Sequence, residues 1–412
     1  MMQGSGRDGY LCSRRSRPRV NRVLIVALVL SGCLAGPQSW EPSEADVTGP
    51  ACMYYACPVD DVPVKGPWKV PSRPAVLAMD LPWGIEASDA WIVWSLDGYA
   101  EHGRSMLALD RAGGRVIGQE AEGLVDWPHL HDTTVVYAAA VGPRPIYEQD
   151  METGLGWANR PYHVQIHAWN LTANENARLD IPLDGAIYPH DFDGRWILLR
   201  QNATGMMRIH NATSDERMWI YDVQSGALID PGIPVVGALQ EGPSSNDAYL
   251  WDGRLLWEEH DEGVTTIRSF DPADGTRTVL LETSDEVAYF WKVDDGWVTT
   301  DWDTVVHRSD QVVALSAADV DVLYLGAQGS LAVWQEIDDG SDSMDIETAV
   351  SWRAADLGSD RIVHLGTTTN WGALPVWDGK DLIVVETHSG PTVDFNVIRT
   401  IAWDDALASA PP

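Results

Sequence analysis

Seven short segments of one kind recur along this chain of 412 residues, and their return limits the fold more than any other feature. Each joins a polar turn, most often Asp followed by Gly, to a run of apolar residues suited to a strand. They are Asp89-Ala90-Trp91-Ile92-Val93-Trp94, Asp132-Thr133-Thr134-Val135-Val136-Tyr137, Asp193-Gly194-Arg195-Trp196-Ile197-Leu198 and Asp252-Gly253-Arg254-Leu255-Leu256-Trp257. The series continues through Asp295-Gly296-Trp297-Val298, Gln328-Gly329-Ser330-Leu331-Ala332-Val333 and Asp378-Gly379-Lys380-Asp381-Leu382-Ile383. Successive copies begin 43, 61, 59, 43, 33 and 50 residues apart. A unit of ~40–50 residues built of four strands is one blade of a β-propeller.

The segments between these turns support antiparallel meanders. A second run ends at Asp, as in Met106-Leu107-Ala108-Leu109-Asp110 and Met218-Trp219-Ile220-Tyr221-Asp222, and then turns through polar residues such as Gln224-Ser225-Gly226. Asp supplies side-chain bonds to the turn and Gly supplies positive φ. No helical period of ten or more residues interrupts them. The expected fold is all-β, a propeller of seven blades with mostly four antiparallel strands each. A short fifth copy and a sixth without Asp leave counts of six or eight open. A ring of blades needs closing, and Pro74-Ala75-Val76-Leu77-Ala78-Met79 is placed to supply the outer strand missing after the last copy.

Stretches such as Tyr188-Pro189-His190-Asp191-Phe192-Asp193-Gly194-Arg195-Trp196-Ile197-Leu198 resemble the blades of TolB-like propellers, which read Pro-x-Trp-Ser-Pro-Asp-Gly-Lys before an apolar strand. The resemblance runs loosely over residues 72–412.

Residues 1–32 read as a signal peptide. Arg14, Arg15, Arg17, Arg19 and Arg22 precede the apolar run Val23 to Leu30, which is shorter than the ~20 residues a spanning helix needs. Leu30-Ser31-Gly32-Cys33 resembles the lipobox of bacterial lipoproteins, which implies cleavage before Cys33 and a diacylglycerol thioether on its sulfur. Leu34 in the second position resembles an outer-membrane destination. Residues 33–71, rich in Pro, Gly, Ser and acids, read as a flexible tether. Within it Cys52 and Cys57 are expected to pair as a disulfide in an oxidising envelope; a two-thiolate metal site would lack third and fourth ligands nearby.

The net charge of −33 is reached despite six Arg in the leader, so nucleic acid is excluded as a partner. The same field disfavours anionic lipid headgroups, leaving the acyl anchor as the means of membrane residence. Twenty Trp against four Phe point to large rings packed between blades, with a ligand-stacking role, carbohydrate included, left open.

Two inner segments match: Trp127-Pro128-His129-Leu130-His131-Asp132 and Tyr188-Pro189-His190-Asp191-Phe192-Asp193. His129 and His131 share one strand face, and with His190 they form a candidate divalent-cation site at the channel mouth. The competing reading has these side chains bonding neighbouring blades. Asp338 and Asp342, in the loop Asp338-Asp339-Gly340-Ser341-Asp342, are further oxygen ligands for a cation, set against a solvated hairpin tip. No nucleophile elbow, zinc-protease motif, phosphate loop or dinucleotide fingerprint occurs, so no catalytic residue is assigned. The function expected is a membrane-anchored binding or assembly module of the cell envelope, monomeric, holding an envelope protein or small ligand on its propeller faces. The alternative is an exported hydrolase or lyase with a channel-mouth site, metal-dependent or not.

Overall fold

The computed structural model describes residues 56–59, 68–78, 82–96, 104–121, 128–141, 147–149, 156–158, 164–202, 216–233, 248–261, 263–285, 287–301, 303–317, 321–337, 350–359, 361–368, 375–389 and 394–409. Cys33, Cys52, Asp338 and Asp342 lie outside them.

Each of the seven turn segments joins the first strand of a sheet to its second. The first blade runs Pro82–Ala87, Trp91–Leu96, Arg104–Asp110 and Arg115–Ala121, every neighbour antiparallel. Five more sheets repeat this four-strand order, beginning with His129–His131, Ala186–Phe192, Ala248–Trp251, Tyr289–Val293 and Asp321–Gln328. The seventh holds Val376–Trp377, Asp381–Ser389 and Asp394–Ala402 from the end of the chain, and Arg73–Ala78 and Ala56–Pro58 from its beginning. The protein is a seven-bladed propeller, and seven is the count where six or eight had stayed open.

The irregular spacing of the turns has local causes. The second blade carries an extra hairpin, Tyr147–Gln149 with Gly156–Ala158, between its second and third strands. The fifth is short because its last two strands, Val305–Arg308 and Val312–Ala314, hold only four and three residues. Turn chemistry follows the sequence closely. Asp193 Oδ1 accepts the amides of Arg195 and Trp196, and Asp378 Oδ1 accepts those of Lys380 and Asp381. Gly194 has φ +94°, a backbone conformation that favours glycine, and a Cβ there would lie 2.4 Å from the ring of His131 on the preceding blade, which would have to move.

Second strands are buried on both faces, as in Leu331–Ile337, where every residue is buried. Strand alternation sends successive side chains to opposite neighbours. Leu331 and Val333 pack with Leu382 and Val384 of the seventh blade, whereas Ala332 and Trp334 pack with Val298 and Val305 of the fifth. Seven such cores occur among the described residues, one at each blade interface. Trp94, Trp169, Trp257 and Trp334 fill four of them, and with Trp68, Trp91, Trp196, Trp297, Trp352 and Trp403 also buried, half of the twenty tryptophans are accounted for. Burying an indole leaves an N–H to satisfy, and a Trp-x-Glu pattern does so: Trp257 Nε1 donates to Glu259 and Trp334 Nε1 to Glu336. Arg268 and Arg353 on the adjacent strands then pair with those carboxylates, and Arg399 pairs with Glu386 at 2.7 Å in the seventh blade.

Closure uses more of the chain than the strand expected for it. Arg73–Ala78 pairs with Asp394–Ala402, with Val76 opposite Ile398 and Ala78 opposite Asn396. Ala56–Pro58, inside the segment expected to be a tether, adds a fifth strand with buried Cys57 opposite Leu77. Trp68 bridges Gly366 of the sixth blade, and Trp68 and Val70 are buried in the core between blades six and seven. Because the outer place is taken, the chain after Ala402 turns into a single short helix, Trp403–Ser409, which seats Trp403 and Ala406 in that core.

A side-chain clasp joins the seventh blade to the first. Arg111 donates to Asp378 and to Asp381, the latter at 2.6 Å, with the Asp378 side chain fully buried. Removing one partner of a buried pair leaves an uncompensated charge. Arg111→Ala is therefore expected to lower stability by about 3 kcal/mol, read as a lower urea midpoint, with Arg111→Lys intermediate; an unchanged midpoint would remove the clasp from the account of closure.

Candidate functional site

The first strand of every blade is the innermost, and together the seven enclose a central cavity of about 1050 Å³. Its wall follows a simple rule. The residue three places before the turn Asp is Glu86, His129, His190, Tyr249, Lys292 and Pro375 in six of the blades, and all six line the cavity. Aromatic rings Tyr188, Trp251, Trp291 and Trp377 complete much of the rest, with Asp191, Asp294 and Arg200 among the charged groups.

Many of these side chains also fasten one blade to the next. His129 Nε2 hydrogen-bonds the Pro189 carbonyl at 3.1 Å, and His190 bonds the backbone of Ala248. A bulge between Pro189 and Asp191 shifts the register of this strand. Asp191 accepts the amide of Phe192 at 2.7 Å and that of Leu250, on the fourth blade, at 2.6 Å. The Tyr249 hydroxyl accepts the amide of Lys292, and Trp291 Nε1 donates to the Leu325 carbonyl. Tyr249 and Trp291 stack with centroids 5.0 Å apart. Lys292 Nζ donates to the carbonyls of Val293 and Gly296 and lies 5.3 Å from the centroid of the Trp251 ring.

Enclosure by the seven strands shifts the titration of the wall. Burial, reinforced by the charge of Asp191, pushes Glu86 up to about 8. Burial lowers His129 to about 4 against the opposing bond to Pro189. Burial, with His129 nearby, brings His190 down to about 4. Asp191 is raised, again by burial, although its two amide donors pull the other way. At neutral pH the wall thus offers a protonated carboxyl and two neutral imidazoles as hydrogen-bonding groups.

Of the histidines singled out from sequence, His129 and His190 line the cavity together. His131 does not line it: it packs edge-on to Phe192, 6.1 Å between centroids, and over Gly194, with Nε2 3.7 Å from Asp132. Among the described residues no three His, Cys, Asp or Glu side chains come together to hold a metal ion. Glu86, Arg200 and Lys292 escaped the sequence reading. The signal for Glu86 and Lys292 was present, since aligning the seven turns places both in the column that holds His129 and His190.

No protein-family model matches the chain, and no curated protein matches it in sequence. Solved structures that share the fold include a prolyl endopeptidase, at 11% identity and TM-score 0.47, over 76% of this chain and 45% of that one. The propeller domain of the Trilobed protease from Pyrococcus furiosus aligns at 12% identity and TM-score 0.46, over 77% and 96%. An oligogalacturonate lyase in complex with manganese aligns at 13% identity and TM-score 0.36, over 77% and 76%. The chain spans less than half of the endopeptidase's length. Fold and site together define a seven-bladed propeller with a ligand-sized, polar and aromatic central cavity.

Glu86 has a pH signature. From pH 7 to 8 the two imidazoles are neutral folded and mostly neutral unfolded, while Glu86 is at least half protonated folded and has lost its proton unfolded. The native state then binds more protons, so stability contributed by this group, fully present below 4.5, is lost as pH rises toward 8. Glu86→Gln, an isostere of the protonated acid, should raise the melting temperature over wild type more at pH 8 than at pH 5. An equal difference at both pH values would contradict the protonated assignment.

Proposed function

We propose that this protein is a lipid-anchored binding module of the bacterial cell envelope whose ligand site is the central cavity, with the propeller faces available to an envelope protein. The cavity carries the reading: about 1050 Å³, walled from all seven blades, it matches the upper range of small-ligand sites, ~300–1,000 Å³. Polar groups converge on it among aromatic rings, the composition by which such sites fix a ligand's orientation. Anchoring rests on Leu30-Ser31-Gly32-Cys33, and the net charge of −33 makes the acyl chains, not a basic patch, the membrane contact. No helix among the described residues is long and apolar enough to cross a membrane. Residence on the outer membrane, the Cys52–Cys57 disulfide and kinship with TolB-like propellers belong to the same proposal.

A second reading, an exported hydrolase or lyase, is favoured by one observation. Glu86 holds a proton up to about 8 beside imidazoles that are free bases at neutral pH, and paired groups pushed apart in this way are the raw material of acid–base chemistry.

Site-specific photo-cross-linking in the native envelope tests the first reading. A photoreactive residue at Gln328, on the cavity wall, should yield a ligand adduct, and one at Val312, exposed on an outer strand, should not. Cys33→Ala should release the protein from the membrane fraction and remove the adduct. Adducts from Val312 alone would place binding outside the cavity.

A further inference from the structure

The cavity wall is selective enough to name a ligand class, and this step rests on the binding reading above. Its charges oppose one another. Asp191 and Asp294 supply carboxylates, Arg200 and Lys292 supply cations, and Glu86 is protonated at neutral pH. A cationic ligand would meet Arg200 and Lys292. An anionic ligand would meet Asp191 and Asp294. A purely apolar ligand would cut off water from the carboxyl and imidazole groups without replacing its bonds, a cost that polar groups exact on burial.

What remains is a neutral molecule with hydroxyl groups that both donate and accept, and with apolar faces of its own. The rings are placed for such faces. Trp251 is 39% exposed, at the end of its strand next to the Asp252-Gly253 turn, and Trp377 stands at the corresponding place before Asp378. Trp291 is half-buried, steadied by Tyr249 and by its bond to Leu325. Rigid rings held at the mouth lose little entropy on binding and offer their faces to the C–H side of a sugar ring.

We propose that the central cavity binds a short, uncharged oligosaccharide, stacked on Trp251 and Trp377 at the mouth, with its hydroxyls bonded to Glu86, His129 and His190. A volume of about 1050 Å³ holds a few sugar rings with water. Glu86 acts as a donor through its carboxyl hydrogen, and that bond is lost as the carboxyl ionises.

The test is titration of the full-length protein, monitored by tryptophan fluorescence, with cello-, malto- and chito-oligosaccharides of two to four units. At least one series should bind saturably. Trp251→Ala and Trp377→Ala should each weaken it about tenfold. Wild-type affinity should fall as pH passes 8, Glu86→Gln should lose that pH dependence, and Glu86→Ala should weaken binding at pH 6.5. Trp251 is exposed and lies outside the apolar cores between blades, and a melting curve for each variant checks that the fold is kept. The proposal is overturned if no neutral series binds, if binding survives the Trp251→Ala/Trp377→Ala pair, or if oligogalacturonate, spermidine or trialanine binds in place of the neutral series. A cross-linked adduct at Gln328 with no neutral sugar bound would sink the ligand class and leave the binding reading standing.

Discussion

Everything in this molecule depends on closing a ring. A blade of four strands has two apolar faces, and neither is stable in water until another blade covers it. Seven interfaces need seven cores, and the last of them exists only if the two ends of the sequence meet. The pairing of Arg73–Ala78 with Asp394–Ala402 makes that meeting. It puts buried Val76 and Ala78 into the same core as Ile383, Val385 and Ile398, with Ile92, Trp94 and Leu96 of the first blade on the other side. Without it the seventh blade would end in the open edge of Asp394–Ala402.

The cavity is a by-product of the same geometry that becomes a site through its side chains. Closing the ring brings seven inner strands around one axis, and the third position before the turn lines the cavity in six of them. Elsewhere in the chain that position would be an ordinary polar residue. Here enclosure leaves Glu86 protonated and His129 and His190 uncharged. The bonds from His129 to Pro189, from Asp191 to Leu250 and from Trp291 to Leu325 tie the wall across successive blades, so the shape of the site and the integrity of the ring are one property.

The legible part of this structure was what local chemistry decides. Asp or Gly at turns, followed by apolar runs, marked all seven first-to-second strand connections, and the missing outer strand pointed to the segment that closes the ring. The rest depended on partners distant in sequence. His129 and His131 share a strand face, yet one lines the cavity and the other lies exposed beside Gly194, a distinction set by the third blade. Ala56–Pro58 and Trp68 sit among Pro, Gly and acidic residues that read as linker, and only the edge of the seventh blade and the groove beside Gly366 give them a place. Glu86 was obscured differently: its significance appears when copies are compared column by column, not when each is scanned for a motif.

Amide hydrogen exchange on the intact protein addresses the closure claim most directly. If the ring is one cooperative unit, the amides of residues 73–78 and 394–402 exchange together, and only through the same opening that exposes the inner strands. Exchange of 73–78 through an easier, separate opening, with 394–402 still protected, would contradict it, because the N-terminal strand would then be an attachment to a ring that closes without it.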